Sequence, residues 1–333
     1  MNKVKILATM LLLFCMHKTE AQVDPHFSQY YVYPMWLNPA LTGAIDGDYR
    51  VSAIYRNQWS NITNAFSTVG ISADMQTEKN INLGINILQQ NAGSGGYSYL
   101  NAQASIAYTG LKFGSDGRHR ISFALQPGII QRRFDQSKFK SGNQWTPFVG
   151  YDPSIPTSEI LTKSSALVFD MGAGISYYDA SPNSKVNFFG GFAASHLTAP
   201  SDAFIIKDDK STMPIRYTLH AGARAYLTDA VYFVPNVLYM MQGSARETMV
   251  GGYFQLAAGA TNDVMLGANY RFNDAVSPFA GLLINSKLMI GLSYDVSTSQ
   301  LGKIEKGTNA FELSISFLGN KKDKPGFFKC PRF

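Results

Sequence analysis

Apolar and polar residues alternate along most of this chain. Ile81, Leu83, Ile85 and Ile87 interleave with Asn80, Asn82, Gly84 and Asn86, and beyond the break "NAGSGG" the scheme resumes. There Leu100, Ala102, Ala104, Ile106 and Tyr108 alternate with Asn101, Gln103 and Ser105. Tyr49, Val51, Ala53 and Tyr55 alternate with Arg50, Ser52 and Arg56; Phe311, Leu313, Ile315 and Phe317 alternate with Glu312, Ser314 and Ser316. A period of two marks strands with unlike faces, and no stretch carries a helical period. The pattern predicts fourteen strands, at about 48–59, 65–77, 80–91, 97–110, 118–133, 164–180, 184–197, 214–228, 230–240, 246–259, 262–272, 274–285, 286–298 and 309–318.

The connections distinguish between all-β architectures. Those after strands 2, 6, 8, 10 and 12 are tight, whereas residues 134–163 follow strand 5 and residues 198–213 follow strand 7. Long loops after odd strands are what an outer-membrane barrel entered from the periplasm requires; a soluble sandwich has no reason to gather them at one end. Lipid gives the physical cause, because an amide in hydrocarbon finds no water and a spanning sheet must close on itself. About 9–11 residues suffice for a tilted strand to cross. The expected fold is therefore all-β, a single transmembrane antiparallel β-barrel of about 14 strands. Ile81, Leu83, Ile85 and Ile87 would face lipid and Asn82, Asn86, Asn101, Gln103 and Ser105 the lumen. Tyr55, Trp59, Tyr177, Tyr178, Tyr226, Tyr239 and Phe272 fall near strand ends, where interfacial girdles sit.

Composition agrees. Charged residues make up 16% of the chain, against about 25% in soluble domains. Lys3 and Lys5 precede the apolar run 6–16, and Thr19 and Ala21 stand at −3 and −1 of a cleavage site before Gln22, the arrangement of a secretory signal peptide. Bulky Leu12, Leu13 and Phe14 argue against a lipoprotein box at Cys15. Removal of 1–21 leaves 26 basic against 22 acidic residues, with the basic ones scattered, so no nucleic-acid footprint emerges. Cys330 then has no internal partner, and no disulfide is expected.

The expected organisation is a signal peptide (1–21), an N-terminal segment (22–47), the barrel (48–318) and a basic tail (319–333) carrying Lys321, Lys322, Lys324, Lys329 and Arg332. The N-terminal "DPHFSQYYVYPMWLNPALTG" is too rich in Pro, Asn and aromatics for a strand, and those aromatics call for burial.

By alternation Arg50, Arg56, Asp74, Asp170, Arg224, Arg271, Asp295 and Glu312 face inward. Mixed signs favour pairing over a selective ion path, since selectivity uses rings of one sign. The expectation is that residues 22–47 fold into or beneath the barrel and seal it, with Phe27, Tyr30, Trp36 and Asn38 among the contacts. His26, His119, His196 and His220 form no metal-spaced pair, and no cofactor is expected. Ser195 and His196, taken as neighbours on one strand, would point to opposite faces, which excludes a direct nucleophile–base contact. "GAG" at 172–174 lies in a strand with no helix after it, so a phosphate loop is not expected.

The N-terminal segment, "YRNQW" (55–59), "ISFALQPGIIQRRFD" (121–135), "GGFAASHLTAP" (190–200), "NYRFNDAV" (269–276) and "GLSYDVSTSQL" (291–301) together resemble the PorP/SprF family of the type IX secretion system. The resemblance implies an outer-membrane barrel of the Bacteroidota that helps to deliver or retain secreted proteins with type IX C-terminal signals. It implies as partners other type IX components, the secreted substrate, such as a gliding or surface adhesin, and outer-membrane lipid. It implies no enzymatic activity, and no catalytic residues carry over. Loops 134–163 and 198–213 are the expected partner-facing surface. The alternative function is a passive outer-membrane porin or solute transporter.

Overall fold

The computed structural model describes residues 24–59, 66–77, 79–93, 96–114, 117–135, 138, 141–147, 150–156, 164–182, 184–201, 212–299 and 309–320. The expected signal peptide, the tail beyond Asn320 with Cys330, and parts of both long loops lie outside these residues.

The strands are β1 (Tyr49–Gln58), β2 (Phe66–Met75), β3 (Ile81–Ala92), β4 (Tyr97–Phe113), β5 (His119–Arg133), β6 (Trp145–Thr146), β7 (Gly150–Tyr151), β8 (Ser165–Asp179), β9 (Val186–Ser195), β10 (Arg216–Thr228), β11 (Val231–Gln242), β12 (Ala245–Ala257), β13 (Asp263–Arg271), β14 (Ala275–Ile284), β15 (Leu288–Ser297) and β16 (Ala310–Gly319). Fourteen of them close into one antiparallel barrel. The ring shuts where Val51 of β1 pairs with Ala73 of β2 on one side and Phe317 of β16 on the other. β6 and β7 form a small separate hairpin on the connection between β5 and β8. No helix among the described residues is long and apolar enough to cross a membrane; closure satisfies every strand edge instead.

The alternation sorts the faces. Ile81, Leu83, Ile85, Ile87, Ile106 and Tyr108 are exposed on the outer wall, and Asn82, Asn86, Asn101, Gln103 and Ser105 are buried inside. Tyr178 corrects the aromatic girdle: it follows exterior Tyr177 along the same strand and so points inward, where it joins a buried cluster with Tyr30 and Tyr31. A second correction concerns the seventh barrel strand. β9 ends at Ser195, not 197, and His196 adopts a left-handed backbone with φ 61°. That turn swings its ring inward, so Ser195 and His196 are both buried although they are adjacent.

The chain enters β1 and leaves β16 at one end of the barrel. The connections following β5, β9 and β15 all lie at the other.

Candidate functional site: a plugged lumen

Residues 24–45 lie inside the barrel. They form a 3₁₀ turn (Tyr30–Val32), one turn of α-helix (Pro34–Leu37) and a second 3₁₀ turn (Pro39–Leu41). The motif "NPAL" has a local cause. Proline disfavours helical backbone in the residue before it, so Asn38 is extended (φ −157°, ψ 117°), while Pro39 opens the next turn with its fixed φ. Asn38 caps that turn, its Oδ1 accepting from the Ala40 amide at 2.9 Å. Its Nδ2 donates to Ile175 O at 3.0 Å and meets His220 Nε2 at 3.1 Å. Backbone must come close for this. A Cβ at Gly174 would overlap Asn38 Oδ1, and one at Gly191 would stand 2.7 Å from both Ile175 O and His220 Nε2. Gly174 of "GAG" and Gly191 of "GG" therefore admit the plug.

The expected plug contacts Phe27, Tyr30, Trp36 and Asn38 are all buried. Phe27 and Trp36 pack in a cluster with Tyr33, Ile54, Leu88 and Ile130, and Tyr30 donates to Asn236 Oδ1 at 2.9 Å. Trp36 donates to Pro25 O at 2.9 Å and lies beneath the Arg216 guanidinium, 4.3 Å from its centre. Tyr33 donates to Ile87 O at 2.9 Å.

The eight charges expected to face inward are each 5% exposed or less, and the structure distributes them over four places. Arg50 and Asp74 pair at 2.8 Å near the chain-end mouth, where Asp74 also accepts the Gly43 amide at 2.7 Å. Arg56, Arg271, Asp295 and Glu312 form a network across β1, β13, β15 and β16. In it Arg56 bonds Asp295 at 2.9 Å and also Glu312, and Arg271 bonds Asp295 at 2.9 Å. Glu312 accepts the amides of Ser28 and Gln29 at 2.7 and 2.8 Å, which ties the plug to the strand that closes the ring. Asp170 pairs with His196, and Arg224 lies over the Tyr232 ring at 5.2 Å.

Sequence reasoning missed the clamp on the leading end of the plug. His196 Nε2 meets Asp24 Oδ2 at 2.6 Å and its Nδ1 meets Asp170 Oδ2 at 2.9 Å. Arg216 adds a bond to Asp24 at 2.9 Å, and the Asp24 amide donates to Gln242. Burial disfavours the charged ring, but Asp24 and Asp170 outweigh it and push His196 up to about 9. Burial likewise opposes the Asp24 carboxylate, and His196 with Arg216 overrides it, holding it well below the usual range. Both nitrogens of His196 are thus occupied, and the Ser195 hydroxyl is taken by Arg216. His26 is the opposite case: burial and the neighbouring Arg271 and Arg56 hold it well below its ordinary value. Its neutral ring accepts from Arg271 and faces Glu247 at 3.3 Å. No cluster of three or more His, Cys, Asp or Glu side chains among the described residues has metal-site geometry.

A closed barrel with an oily outer wall and a folded polypeptide through its lumen defines a membrane protein of the β-barrel class. Residues 19–317 match the family described as type IX secretion system membrane protein PorP/SprF, and the chain belongs to that family. No curated protein matches its sequence. Solved structures share the architecture. The Ralstonia pickettii toluene transporter TbuX covers 85% of this chain with 91% of its own, at 8% identity and TM-score 0.50. The P. putida toluene transporter TodX covers 90% with 95% of its own, at 9% identity and TM-score 0.49. The monoaromatic hydrocarbon channel CymD has the same coverage at 10% identity and TM-score 0.49.

Proposed function

We propose that this member of the family resides in the outer membrane and supports the secretion or surface attachment of a particular type IX substrate, such as a gliding or surface adhesin. It acts by binding rather than by conducting solutes or by turnover. The observation that carries this reading is the plug, which is bonded to the wall from Asp24 at one mouth to Gly43 at the other. A lumen filled in this way leaves the loop end and the chain-end mouth as working surfaces. On the long connection between β5 and β8, Trp145 is 60% exposed and packs against Tyr151 with ring centres 6.0 Å apart. Exposed aromatics are favoured anchors for a protein partner. Other secretion components would meet the barrel in the membrane or from the periplasmic side.

Deletion of the gene followed by proteomics of the cell surface tests the proposal. Loss of one or more proteins with type IX C-terminal signals is expected, and restoration by the intact gene. An unchanged surface proteome would contradict it. A second reading, solute passage, draws on a cavity above the plug and on the fold shared with TbuX, described as a toluene transporter. Solute flux in proteoliposomes together with a normal cell surface would favour that reading.

A further inference from the structure

At the long-loop mouth a cavity of about 440 Å³ opens above the plug, with Asp24, Pro25, His26, Gln242, Trp59, Phe66 and Met240 in its wall. A second cavity, beside Met213, has only about 10 Å³, no more than one water needs. The lumen is thus filled along the plug and opens into a vestibule at the plug's first residue.

The direction of the plug decides what enters that vestibule. Asp24, its leading residue, is bonded to His196 and Arg216 at the long-loop mouth, whereas Gly43 is bonded to Asp74 near the mouth where β1 begins. Asp24 is 7% exposed, and its amide donates to Gln242 Oε1 at 2.8 Å. The peptide bond to the preceding residue leaves from that same nitrogen. The chain ahead of Asp24 therefore starts between Asp24 and Gln242, both of which belong to the cavity wall.

Cleavage before Gln22, the site expected from the sequence, leaves two residues ahead of Asp24. Fully extended they span at most about 7 Å, so they end inside a space of this size. Trp59, Phe66 and Met240 offer an apolar surface to Val23, and Gln90 and Thr68, joined at 3.1 Å, offer amide and hydroxyl groups to Gln22. An attached signal peptide does not fit. It would bring Lys3, Lys5 and the apolar run 6–16 through the lumen to the far mouth, along the path that the plug itself fills.

We infer that the vestibule is the seat of the chain's own mature N-terminus, Gln22–Val23, and that only a processed chain completes the plug. Signal cleavage then serves the seal as well as export, because it shortens the segment to the length the vestibule holds. The seated residues take up the space on which solute passage would draw. The inference is independent of which partner the barrel serves.

The test uses the full-length mature protein purified from outer membranes, with Cys330→Ser to remove the other mature thiol. The probe is a maleimide-polyethylene glycol too bulky to enter the cavity. The thiol of Val23→Cys should react at least about tenfold more slowly than that of Trp145→Cys, because a seated residue is reached only when the tip opens locally. Adding His196→Ala, which releases the clamp, should bring the Val23→Cys rate up to that of Trp145→Cys. Equal rates in the clamped protein would place the N-terminus outside the mouth and overturn the inference. Slow labelling that His196→Ala leaves unchanged would show the thiol to be shielded elsewhere and would overturn it too. So would an intact mass showing that the purified chain begins ahead of Gln22.

Discussion

Nε2 of His196 lies 2.6 Å from Oδ2 of Asp24, a bond that joins the barrel wall to the tip of the plug across 172 residues. Removing His196 leaves Asp24 with Arg216 alone and strips Asp170 of its cation, and removing the Asp24 charge leaves His196 with Asp170 alone; breaking a buried pair costs up to about 3–5 kcal/mol. His196→Ala and Asp24→Asn should each free the plug tip. The expected readout is faster amide exchange at residues 24–28 with the barrel's circular dichroism retained.

The same clamp gives a pH dependence. His196 is raised from 6.5 to about 9 in the folded protein, so the stability it contributes is complete below about pH 6.5 and is lost as pH rises through 9. Asp24 is lowered from 3.8, so its contribution is complete above about pH 4 and is lost on acidification below that. Protection factors at the plug tip, which divide out the intrinsic pH dependence of exchange, should be highest between about pH 4 and 7 and fall as pH rises through 9. His196→Ala should abolish the alkaline limb; an alkaline limb that persists in that variant would contradict the assignment.

Glu312 holds two plug amides and Arg56 at once. Glu312→Ala should lower stability by about 3–5 kcal/mol, read as a lower midpoint in heat-modifiability gels. Glu312→Gln, which keeps an acceptor of the same shape, should cost less.

Two glycines of the inner wall separate close approach from mere flexibility. A Cβ at Gly191 meets Ile175 O and His220, whereas one at Gly172 stays 3.4 Å or more from its neighbours. Gly191→Ala should destabilise by about 1–3 kcal/mol through overpacking, and Gly172→Ala should stay within about 0.5 kcal/mol of the parent.

The outer wall offers an independent check of the membrane assignment. Ile87, exposed near the middle of β3, should tolerate polar replacement only if it faces water. Ile87→Lys is expected to reduce folding into bilayers by about 2–4 kcal/mol, measured by denaturant titration in liposomes.

The barrel was legible because lipid imposes a strict rule: alternating residues must be oily outside, as at Ile81 to Ile87, and every strand must be paired. Inward positions such as Arg56 and Glu312 followed from the same parity. The clamp was not legible for the converse reason. His196 lies one residue past the end of β9, where parity no longer applies, and its left-handed φ comes from the turn itself. Its partner Asp24 belongs to a segment without periodicity. A hint was present in the extended residue that "NPAL" demands before a proline, yet which wall it would touch depended on glycines 174 and 191, whose role appears only once the strands are in register. Tyr178 departs from the girdle because its side of the strand, opposite to that of Tyr177, and not its aromatic type decides which face it takes.

Single-channel recording in planar bilayers tests the central claim most directly, comparing the intact protein with a variant lacking residues 24–45. The intact barrel is predicted to stay electrically closed and the shortened one to conduct. Steady porin-like conductance from the intact protein, or silence from a shortened barrel that still folds, would contradict a lumen sealed by its own N-terminal segment.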